Sequence, residues 1–230
     1  MLVIGHRGAR GLAPENTFEA MEAGVFHGSE ILEFDIQLTK EGIPVVIHDK
    51  NLLRTHHHRH RINSLTLDEL NKLTSNHHHV PTLAEILDRF WGKIYLNIEV
   101  KGRGTGKAVA QLLESSYIKK TSDWDNCFIS SFSIRELRSI RAISKHANIA
   151  LIHNRNPFAF IAYHRMVNLQ AVGFHRLYTN PLATETAKKL GLFTYAYTVN
   201  RPHGAALLHR QGIDAVVTDY PNKILEEITK

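Results

Sequence analysis

The sequence predicts an α/β fold, a (β/α)8 barrel, from three observations. Eight short apolar strands alternate with helical segments along the chain, once a hairpin strand at 43–48 is left out of the count. The 230 residues, 43% of them hydrophobic, suit one large core. The strand at 31–38 carries polar side chains on one face, which is unusual for a buried parallel strand. A doubly wound sheet is the alternative fold.

Each predicted strand is a short run rich in β-branched or aromatic residues, bounded by polar or glycine-containing turns. The first strand ends in His6-Arg7-Gly8, where glycines on both sides of the His-Arg pair let the backbone turn tightly. The second strand is followed by the turn at 40–42 and an antiparallel return. The predicted barrel strands are 2–5, 31–38, 94–101, 127–131, 149–152, 171–174, 193–199 and 214–218.

Capping residues predict where several helices begin. Thr66 and Thr82 each open a capping box with a Glu three residues later, and Ser133 has a Glu at the same spacing. Pro221 stands at a first helical position. The predicted barrel helices run from Pro14 to about 27, from 82 to about 90, over 106–117, from 133 to about 145, over 158–167, 182–190 and 202–211, and onward from 221.

We expect a single domain over 1–230, with 49–80 as a small His-rich insertion. The longest apolar runs fall short of the roughly 20 residues of a membrane span, and the chain enters a strand directly after Met1, so neither a span nor a signal peptide is expected. A single cysteine, Cys127, excludes an intramolecular disulfide and fits a reducing compartment, and a cytoplasmic location is expected. Cys127 lies in an apolar run, which indicates a buried side chain. The net charge of +6 is diffuse, so no nucleic-acid partner is expected.

Polar and apolar side chains alternate along the strand at 31–38. Apolar residues occupy the even positions, whereas Glu33, Asp35 and Gln37 share the opposite face. If both faces are covered, as in a parallel sheet, two carboxylates are buried together, which would cost several kcal/mol without compensation. A divalent cation is the natural compensation, because hard cations prefer oxygen ligands.

The stretch at 94–101 repeats this pattern, because Glu99 and Lys101 share one face of a second strand. If the two strands are neighbours, Glu33, Asp35 and Glu99 can converge on one metal ion with Lys101 beside them. The alternative is that both are amphipathic edge strands whose charges are solvated.

In a barrel the active site lies at the C-terminal ends of the strands. Seven candidate side chains are predicted at this end of the barrel: His6, Arg7, Glu33, Asp35, His48, Glu99 and Lys101. Three carboxylates, one divalent cation and two basic side chains leave about one net positive charge, which a phosphodiester would neutralise. The two histidines could act as base and acid in phosphoryl transfer.

Simpler interpretations exist for several of these residues. A histidine at a strand end is often an ordinary polar residue, and Arg7 could merely pair with Glu15. Asp49 and Asp219, which follow strand ends, are interpreted as structural caps and left out of the predicted site.

An ordered series of motifs carries a resemblance over essentially the whole chain. The motifs are His6–Ala9, Ala13–Thr17, Glu33–Thr39, Val45–Asp49, Pro81–Leu87, Leu96–Lys101, Ser130–Phe132, Tyr197–Asn200 and Gly212–Asp219. Together they resemble the glycerophosphodiester phosphodiesterase family, in its cytoplasmic bacterial type.

The resemblance implies a TIM barrel with a small insertion after the second-strand hairpin. It implies that Glu33, Asp35 and Glu99 bind one Mg²⁺ or Ca²⁺ ion. The expected reaction is hydrolysis of a glycerophosphodiester to sn-glycerol 3-phosphate and an alcohol, either directly by water or through a cyclic intermediate. The roles implied for the remaining residues are acid–base catalysis by His6 and His48, and substrate binding by Arg7, Lys101 and Tyr197.

The chain departs from the family pattern at three places. Tyr197 stands where the family usually has Trp, and the segment at 218–222 lacks the usual Arg and Asp. The insertion carries histidine runs at 56–60 and 77–79, whose spacing does not suit a closed structural metal site. They are interpreted as a solvated loop that binds metal adventitiously or, as a second hypothesis, as a pH-sensitive element at the rim.

Two alternative functions remain open from the sequence alone. The same barrel could act on a lysophospholipid or another phosphodiester. The chain could instead be a non-catalytic metal- or phosphate-binding protein, in which the histidine runs would be the functional feature. The preferred alcohol and the oligomeric state are left open.

Overall fold

Nine strands form one sheet in the computed structural model, which describes residues 1–153 and 155–228. The strands are β1 Leu2–Gly5, β2 Ile31–Leu38, β3 Pro44–Val46, β4 Tyr95–Val100, β5 Cys127–Ser131, β6 Ile149–His153, β7 Ala171–His175, β8 Phe193–Tyr197 and β9 Ala215–Thr218. Eight of them are parallel and run in chain order around a barrel, which closes where β9 pairs with β1. β3 pairs antiparallel with β2 outside the ring. This closure confirms the (β/α)8 barrel and excludes the doubly wound alternative.

Ten α-helices connect the strands or form part of the insertion in the described part of the chain. They are α1 Phe18–Phe26, α2 Leu53–His56, α3 Leu67–Thr74, α4 Leu83–Phe90, α5 Thr105–Leu112, α6 Ile134–Ile143, α7 Ala159–Val167, α8 Pro181–Lys189, α9 Pro202–Arg210 and α10 Pro221–Ile228. No helix among the described residues is both long and apolar enough to cross a bilayer.

Local capping chemistry explains where the helices begin. The side chains of Thr66 and Thr82 accept hydrogen bonds from the backbone of Glu69 and Glu85, and both predicted capping boxes are complete. The first helix begins later than the predicted Pro14, because Asn16 has a left-handed backbone with φ of 60° and Thr17 is the N-cap.

The barrel strands bury side chains on both faces. One apolar layer lies between the strands and the surrounding helices and includes Leu32, Phe34 and Ile36 of β2. A second, smaller cluster fills the barrel interior, with Phe128 and Tyr195 as its largest members. Every residue of β2 from Ile31 to Gln37 is buried, so its polar face points into the barrel and not into solvent. The solvated edge-strand interpretation is therefore wrong.

The insertion at 49–80 packs on its own small apolar cluster. After β3, the chain forms α2, a 3₁₀ helix at Ile62–Ser64 and α3. Their apolar side chains pack with Val45 and Ile47 of the hairpin segment, so the insertion is attached directly beyond the end of β2. The segment therefore borders the C-terminal rim of the barrel.

Further elements differ from the sequence prediction. The helix predicted over 106–117 is α-helical only to Leu112 and continues as a π-helical turn at Leu113–Tyr117. A 3₁₀ helix at Thr121–Asn126 was not predicted. The strand predicted to end at 199 ends at Tyr197.

Candidate active site

Strand register brings three carboxylates together at the C-terminal end of the barrel. β2 and β4 are parallel neighbours, with Asp35 opposite Glu99 and Glu33 opposite Asn97. One carboxylate oxygen each from Glu33, Asp35 and Glu99 lies within 4.8 Å of the others. The convergence expected from the alternation of the two strands is thus present in the structure.

The three carboxyl groups differ in their electrostatic surroundings. Burial and the neighbouring charges of Asp35 and Glu99 raise the pKa of Glu33 well above its usual value. Burial and Asp35 raise the pKa of Glu99 to about 7. Burial also acts to raise the pKa of Asp35, but the charges of Lys101 and Arg7 outweigh it and lower that pKa overall.

The donor set fits a hard divalent cation. One oxygen of Glu33, Oε2, accepts a hydrogen bond of 2.8 Å from the backbone N–H of Arg7. The other oxygen, Oε1, is buried and has no hydrogen-bond partner among the described residues. A buried carboxylate oxygen without a partner is costly, and a cation between three carboxylates would both satisfy it and offset their mutual repulsion.

Arg7 connects the acidic cluster to the first loop. Its Nη1 donates to Glu15 Oε1 at 2.8 Å, and its Nε lies 3.2 Å from Asp35 Oδ2. The pairing with Glu15 that the sequence suggested is therefore present, together with a contact to the cluster. Asn16 donates to the same Asp35 oxygen at 3.0 Å and accepts from the Asp35 backbone N–H at 3.2 Å, so the loop fixes this carboxylate from two sides.

Lys101 lies directly after β4 and contacts two of the three carboxylates. Its Nζ donates to Glu99 and lies 3.2 Å from Asp35 Oδ1. Burial alone would lower the pKa of Lys101, but these two carboxylates raise it above its usual value, so the ammonium stays charged at neutral pH.

The two candidate catalytic histidines each contact an aspartate through Nδ1. His6 Nδ1 lies 2.5 Å from Asp219 Oδ1, and His48 Nδ1 lies 2.7 Å from Asp49 Oδ1. Burial lowers the pKa of both imidazoles, in opposition to the aspartates. Each ring is therefore oriented by a carboxylate and is predominantly neutral near pH 7.

Asp219 and Asp49 are residues that the sequence analysis left out as structural caps. Asp219 also accepts from Arg10 Nε at 2.7 Å and from the Asn200 side-chain amide at 2.7 Å. Asp49 next to His48 was a usable signal, because an acid adjacent to a strand-end histidine can orient it. The partnership of Asp219 with His6 spans 213 positions, and only the closure of β9 on β1 creates it.

Arg54 of α2 is a second residue that the sequence analysis did not identify. Its Nε donates to Asp49 Oδ2 at 2.6 Å, and its Nη1 donates to Glu15 Oε2 at 2.8 Å. The insertion therefore reaches the rim through one guanidinium, which links the partner of His48 to the partner of Arg7.

Tyr197 ends β8 on the other side of the rim. Its hydroxyl donates to the backbone carbonyl of His153 at 2.9 Å, and its ring contacts the rings of Phe132 and His175 edge-on. Burial and the charge of Glu99 raise the pKa of the Tyr197 phenol, so it faces the acidic cluster as a neutral group. Tyr197 and Phe132 thus form an aromatic wall beside the carboxylates.

The fold and the rim together define a TIM barrel with an acidic, cation-flanked centre at the C-terminal ends of its strands. The family model described as the glycerophosphoryl diester phosphodiesterase family matches residues 6–223. The chain belongs to this family. Its membership confirms both the resemblance and the enzyme class expected from the motifs.

Individual relatives match the chain over its full length. The protein YhdW of Bacillus subtilis is 33% identical and aligns with 99% of this chain and 98% of its own length. A glycerophosphodiester phosphodiesterase of Caldanaerobacter subterraneus is 30% identical, with 100% and 98% coverage. Among solved structures, a phosphodiesterase of Oleispira antarctica in complex with the product sn-glycerol-3-phosphate has a TM-score of 0.87 and 27% identity, with 100% and 97% coverage.

Proposed function

We propose that this chain hydrolyses glycerophosphodiesters to sn-glycerol 3-phosphate and an alcohol, with one divalent cation at Glu33, Asp35 and Glu99. The observation that carries the proposal is the buried carboxylate cluster at the barrel rim, with Arg7 and Lys101 against it. The Oleispira antarctica relative that binds sn-glycerol-3-phosphate as product supports the substrate class.

Mg²⁺ or Ca²⁺ is the proposed cation, because carboxylate oxygens suit hard cations and no softer ligand belongs to this set. When bound, the cation supplies Lewis-acid stabilisation of negative charge on the phosphoryl oxygens. Asn16 and the backbone N–H of Arg7 hold Asp35 and Glu33 in position for it.

Arg7 and Lys101 are proposed to bind the phosphate group of the substrate. The Nε of Arg7 lies 3.2 Å from Asp35 Oδ2, so its guanidinium places a positive charge directly against the carboxylate cluster, where an anionic group would bind. Glu15 and Asp35 fix the orientation of its guanidinium plane. Lys101 adds a second positive charge beside the same carboxylates, which favours an anionic substrate.

His6 and His48 are proposed to move the protons of the reaction. With Nδ1–H donating to Asp219 or Asp49, each ring leaves the lone pair of Nε2 free to accept a proton. One imidazole takes the proton of the attacking hydroxyl, and the other, once protonated, donates to the oxygen of the departing alcohol. The attacking hydroxyl belongs either to water or to the substrate glycerol, which would give a cyclic phosphate that water then opens.

The test uses phosphorus NMR to measure the release of glycerol 3-phosphate from glycerophosphocholine by the full chain, in the presence of Mg²⁺ or Ca²⁺. We expect Glu33→Gln and His48→Asn to lower kcat at least about 100-fold, because each removes a group from the reacting centre. The matched control is Glu185→Gln, an exposed carboxylate on α8 that pairs with Lys189.

The same experiment separates the alternatives. Full activity in a chelator, or in Glu33→Gln, would refute the metal assignment. Phosphorus NMR also distinguishes glycerol 3-phosphate from an accumulating cyclic phosphate, and it reports whether a lysophospholipid is used instead. Tight cation binding without turnover of any diester would favour a non-catalytic binding protein.

We further propose that residues 1–230 act as one catalytic domain in the cytoplasm, with 49–80 as its insertion and without a nucleic-acid partner. The free, buried thiol of Cys127 and the diffuse distribution of basic side chains support this proposal.

A further inference from the structure

Basic and acidic residues are unevenly matched along the chain. No long run of basic residues occurs, yet the stretch from 137 to 213 contains ten Lys or Arg residues and a single acid, Glu185. Most of the unmatched positive charge therefore lies in the part of the chain that forms β6, β7 and β8. Such an asymmetry favours an anionic partner on this side of the barrel.

Three of these basic residues lie at the C-terminal rim, in the loops that follow β6, β7 and β8. Arg155, Arg176 and Arg201 are exposed, and none of them forms an ion pair with a carboxylate among the described residues. By contrast, Arg10 and Arg54, elsewhere on the rim, each pair with an aspartate. The positive charge on the β6–β8 side of the rim is thus free to attract an anionic surface.

The turn between β7 and α8 exposes two leucines beside these arginines. The exposed fractions of Leu177 and Leu182 are 72% and 62%, and Tyr178 between them is 46% exposed. Among the large apolar side chains that the structure describes, only Phe26 is more exposed than these two leucines. A cluster of exposed apolar side chains, unlike a single one, is typical of an interaction surface.

Hydrogen bonds hold this turn in place. The backbone N–H of Arg176 donates to the Tyr197 carbonyl oxygen at 2.9 Å, and the Arg176 guanidinium donates to the Thr198 carbonyl oxygen at 2.9 Å. Asn180 Oδ1 accepts from the N–H of Leu182 at 2.9 Å and so caps α8. The exposure of the two leucines therefore belongs to an ordered turn.

The aromatic wall of the candidate active site continues into the same turn. The ring centroid of His175 lies 5.7 Å from that of Tyr197 and 5.5 Å from that of Tyr178. Tyr197 in turn contacts Phe132 beside the acidic cluster. The exposed turn and the mouth of the candidate active site therefore lie at the same end of the barrel.

We propose that the surface of an anionic lipid membrane binds at a rim patch formed by six exposed side chains, Arg155, Arg176, Leu177, Tyr178, Leu182 and Arg201. The apolar side chains of the patch enter the interfacial region of the bilayer, and its guanidinium groups contact lipid phosphates. A nucleic acid or an acidic protein would match the charge of the patch but not its leucines, which favours lipid. Bound in this way, the barrel turns the mouth of the candidate active site toward the membrane. The patch contains none of the proposed catalytic residues, so the inference does not depend on the proposed function.

The test is co-sedimentation of the full chain with vesicles, made either of phosphatidylglycerol and phosphatidylcholine in equal parts or of phosphatidylcholine alone. We expect binding only to the anionic vesicles, and weaker binding at high salt, because salt screens the attraction between Arg and lipid. Arg155→Gln/Arg176→Gln/Arg201→Gln should lower the affinity at least about 10-fold, because three charges are removed. Leu177→Ser/Leu182→Ser should lower it about 10-fold, because less apolar area enters the interface.

Two control variants remove the same chemistry from the opposite end of the barrel, where the chain leads from a helix into the next strand. Phe26→Ser removes the most exposed large apolar side chain among the described residues. Lys119→Gln/Lys145→Gln/Arg165→Gln removes three exposed charges. Both controls should bind the anionic vesicles as the parent does, and a loss of affinity equal to that of the patch variants would overturn the proposal.

Hydrogen exchange supplies a second readout that does not depend on activity. We expect anionic vesicles to slow amide exchange at 176–183 and to leave exchange at 20–27 unchanged. Absence of binding by the parent, unchanged affinity in either patch variant, or binding of duplex DNA as tight as that of anionic vesicles would each overturn the proposal. A Glu33→Gln chain should bind the vesicles as the parent does, which separates this result from any failure of the catalytic assignment.

Discussion

Glu33 and Asp35 lie two positions apart on one strand, yet burial and the neighbouring charges raise the pKa of Glu33 and leave that of Asp35 lowered. Asp35 contacts Arg7 and Lys101, which stabilise its charge. Glu33 has one oxygen bound to a backbone N–H, and its other oxygen has no hydrogen-bond partner in the part of the chain that the structure describes. Of these two carboxylates, Glu33 therefore combines a raised pKa with the unsatisfied oxygen, and it gains more from a bound cation than Asp35 does.

The pairing of His6 with Asp219 leads to a prediction at the level of one side chain. In Asp219→Asn the charge that supports a protonated His6 is removed, although the amide can still accept a hydrogen bond. We expect kcat for glycerophosphocholine hydrolysis to fall about 10- to 1000-fold with a smaller change in KM. Steady-state kinetics check this prediction. The control is Asp68→Asn, at an exposed residue of α3. Activity within twofold of the parent would show that Asp219 is only a structural cap.

Helices and strands contribute to the site mainly through where they end. β2 and β4 present Asp35 and Glu99 side by side because the strands are parallel and in register. α2, although only four residues long, carries Arg54 to the partners of both Arg7 and His48. A very short element near the rim therefore contributes directly to the candidate site.

The capping box at the start of α4 leads to a prediction at the level of one helix. The Thr82 hydroxyl accepts from the Glu85 backbone N–H at 3.2 Å and donates to the Glu85 carboxylate at 2.7 Å. Thr82→Ala should lower the free energy of unfolding by about 0.5–2 kcal/mol, since a helix N–H loses its partner. Denaturant unfolding measures this, with Thr82→Ser as the control that keeps the cap. Equal stabilities of the Ala and Ser variants would contradict the role of the hydroxyl.

At the scale of the whole molecule, the acidic centre opposes the stability of the ion-free protein. The pKa of Glu99 is raised to about 7, so its contribution to stability is complete below its unfolded value near 4.5 and is lost as the pH rises through about 7. The pKa of Glu33 is also raised, so its contribution to stability is likewise lost as the pH rises. A bound cation offsets this loss of stability, because it binds to the ionised carboxylates.

This linkage predicts that removal of one acid stabilises the chelated protein. At pH 8 and in the presence of a chelator, Glu33→Gln should raise the free energy of unfolding by an amount of the order of 1 kcal/mol. With saturating Mg²⁺ or Ca²⁺ the parent should instead be more stable than the variant, since the native parent binds the cation. Urea unfolding at pH 8 and pH 5 checks both statements. In the chelator, the difference in the free energy of unfolding between the variant and the parent should be smaller at pH 5 than at pH 8. A variant less stable than the parent in the chelator would contradict the prediction.

Periodicity along the chain predicted that several polar side chains of the candidate site lie together, as the structure shows. The alternation in β2 and β4 identified Glu33, Asp35, Glu99 and Lys101 because side-chain direction in a strand depends only on local geometry. The capping boxes of α3 and α4 were equally local and were predicted correctly.

Contacts between residues that are far apart in the chain could not be predicted from periodicity or capping. Asp219 orients His6 only because β9 closes against β1, and Arg54 reaches Glu15 only because the insertion folds back over the rim. The two histidine runs meet for the same reason, since His56 Nε2 lies 2.9 Å from the backbone carbonyl oxygen of His78.

The sequence by itself determined the order of the strands, the face on which each acid lies and the family to which the motifs belong. Tertiary structure decided which charges touch, which carboxylate oxygen lacks a partner among the described residues and which histidines share a cluster. The physical reason is that local geometry depends on neighbouring residues, whereas electrostatic partners depend on distances set by the closure of the barrel and the folding of its loops.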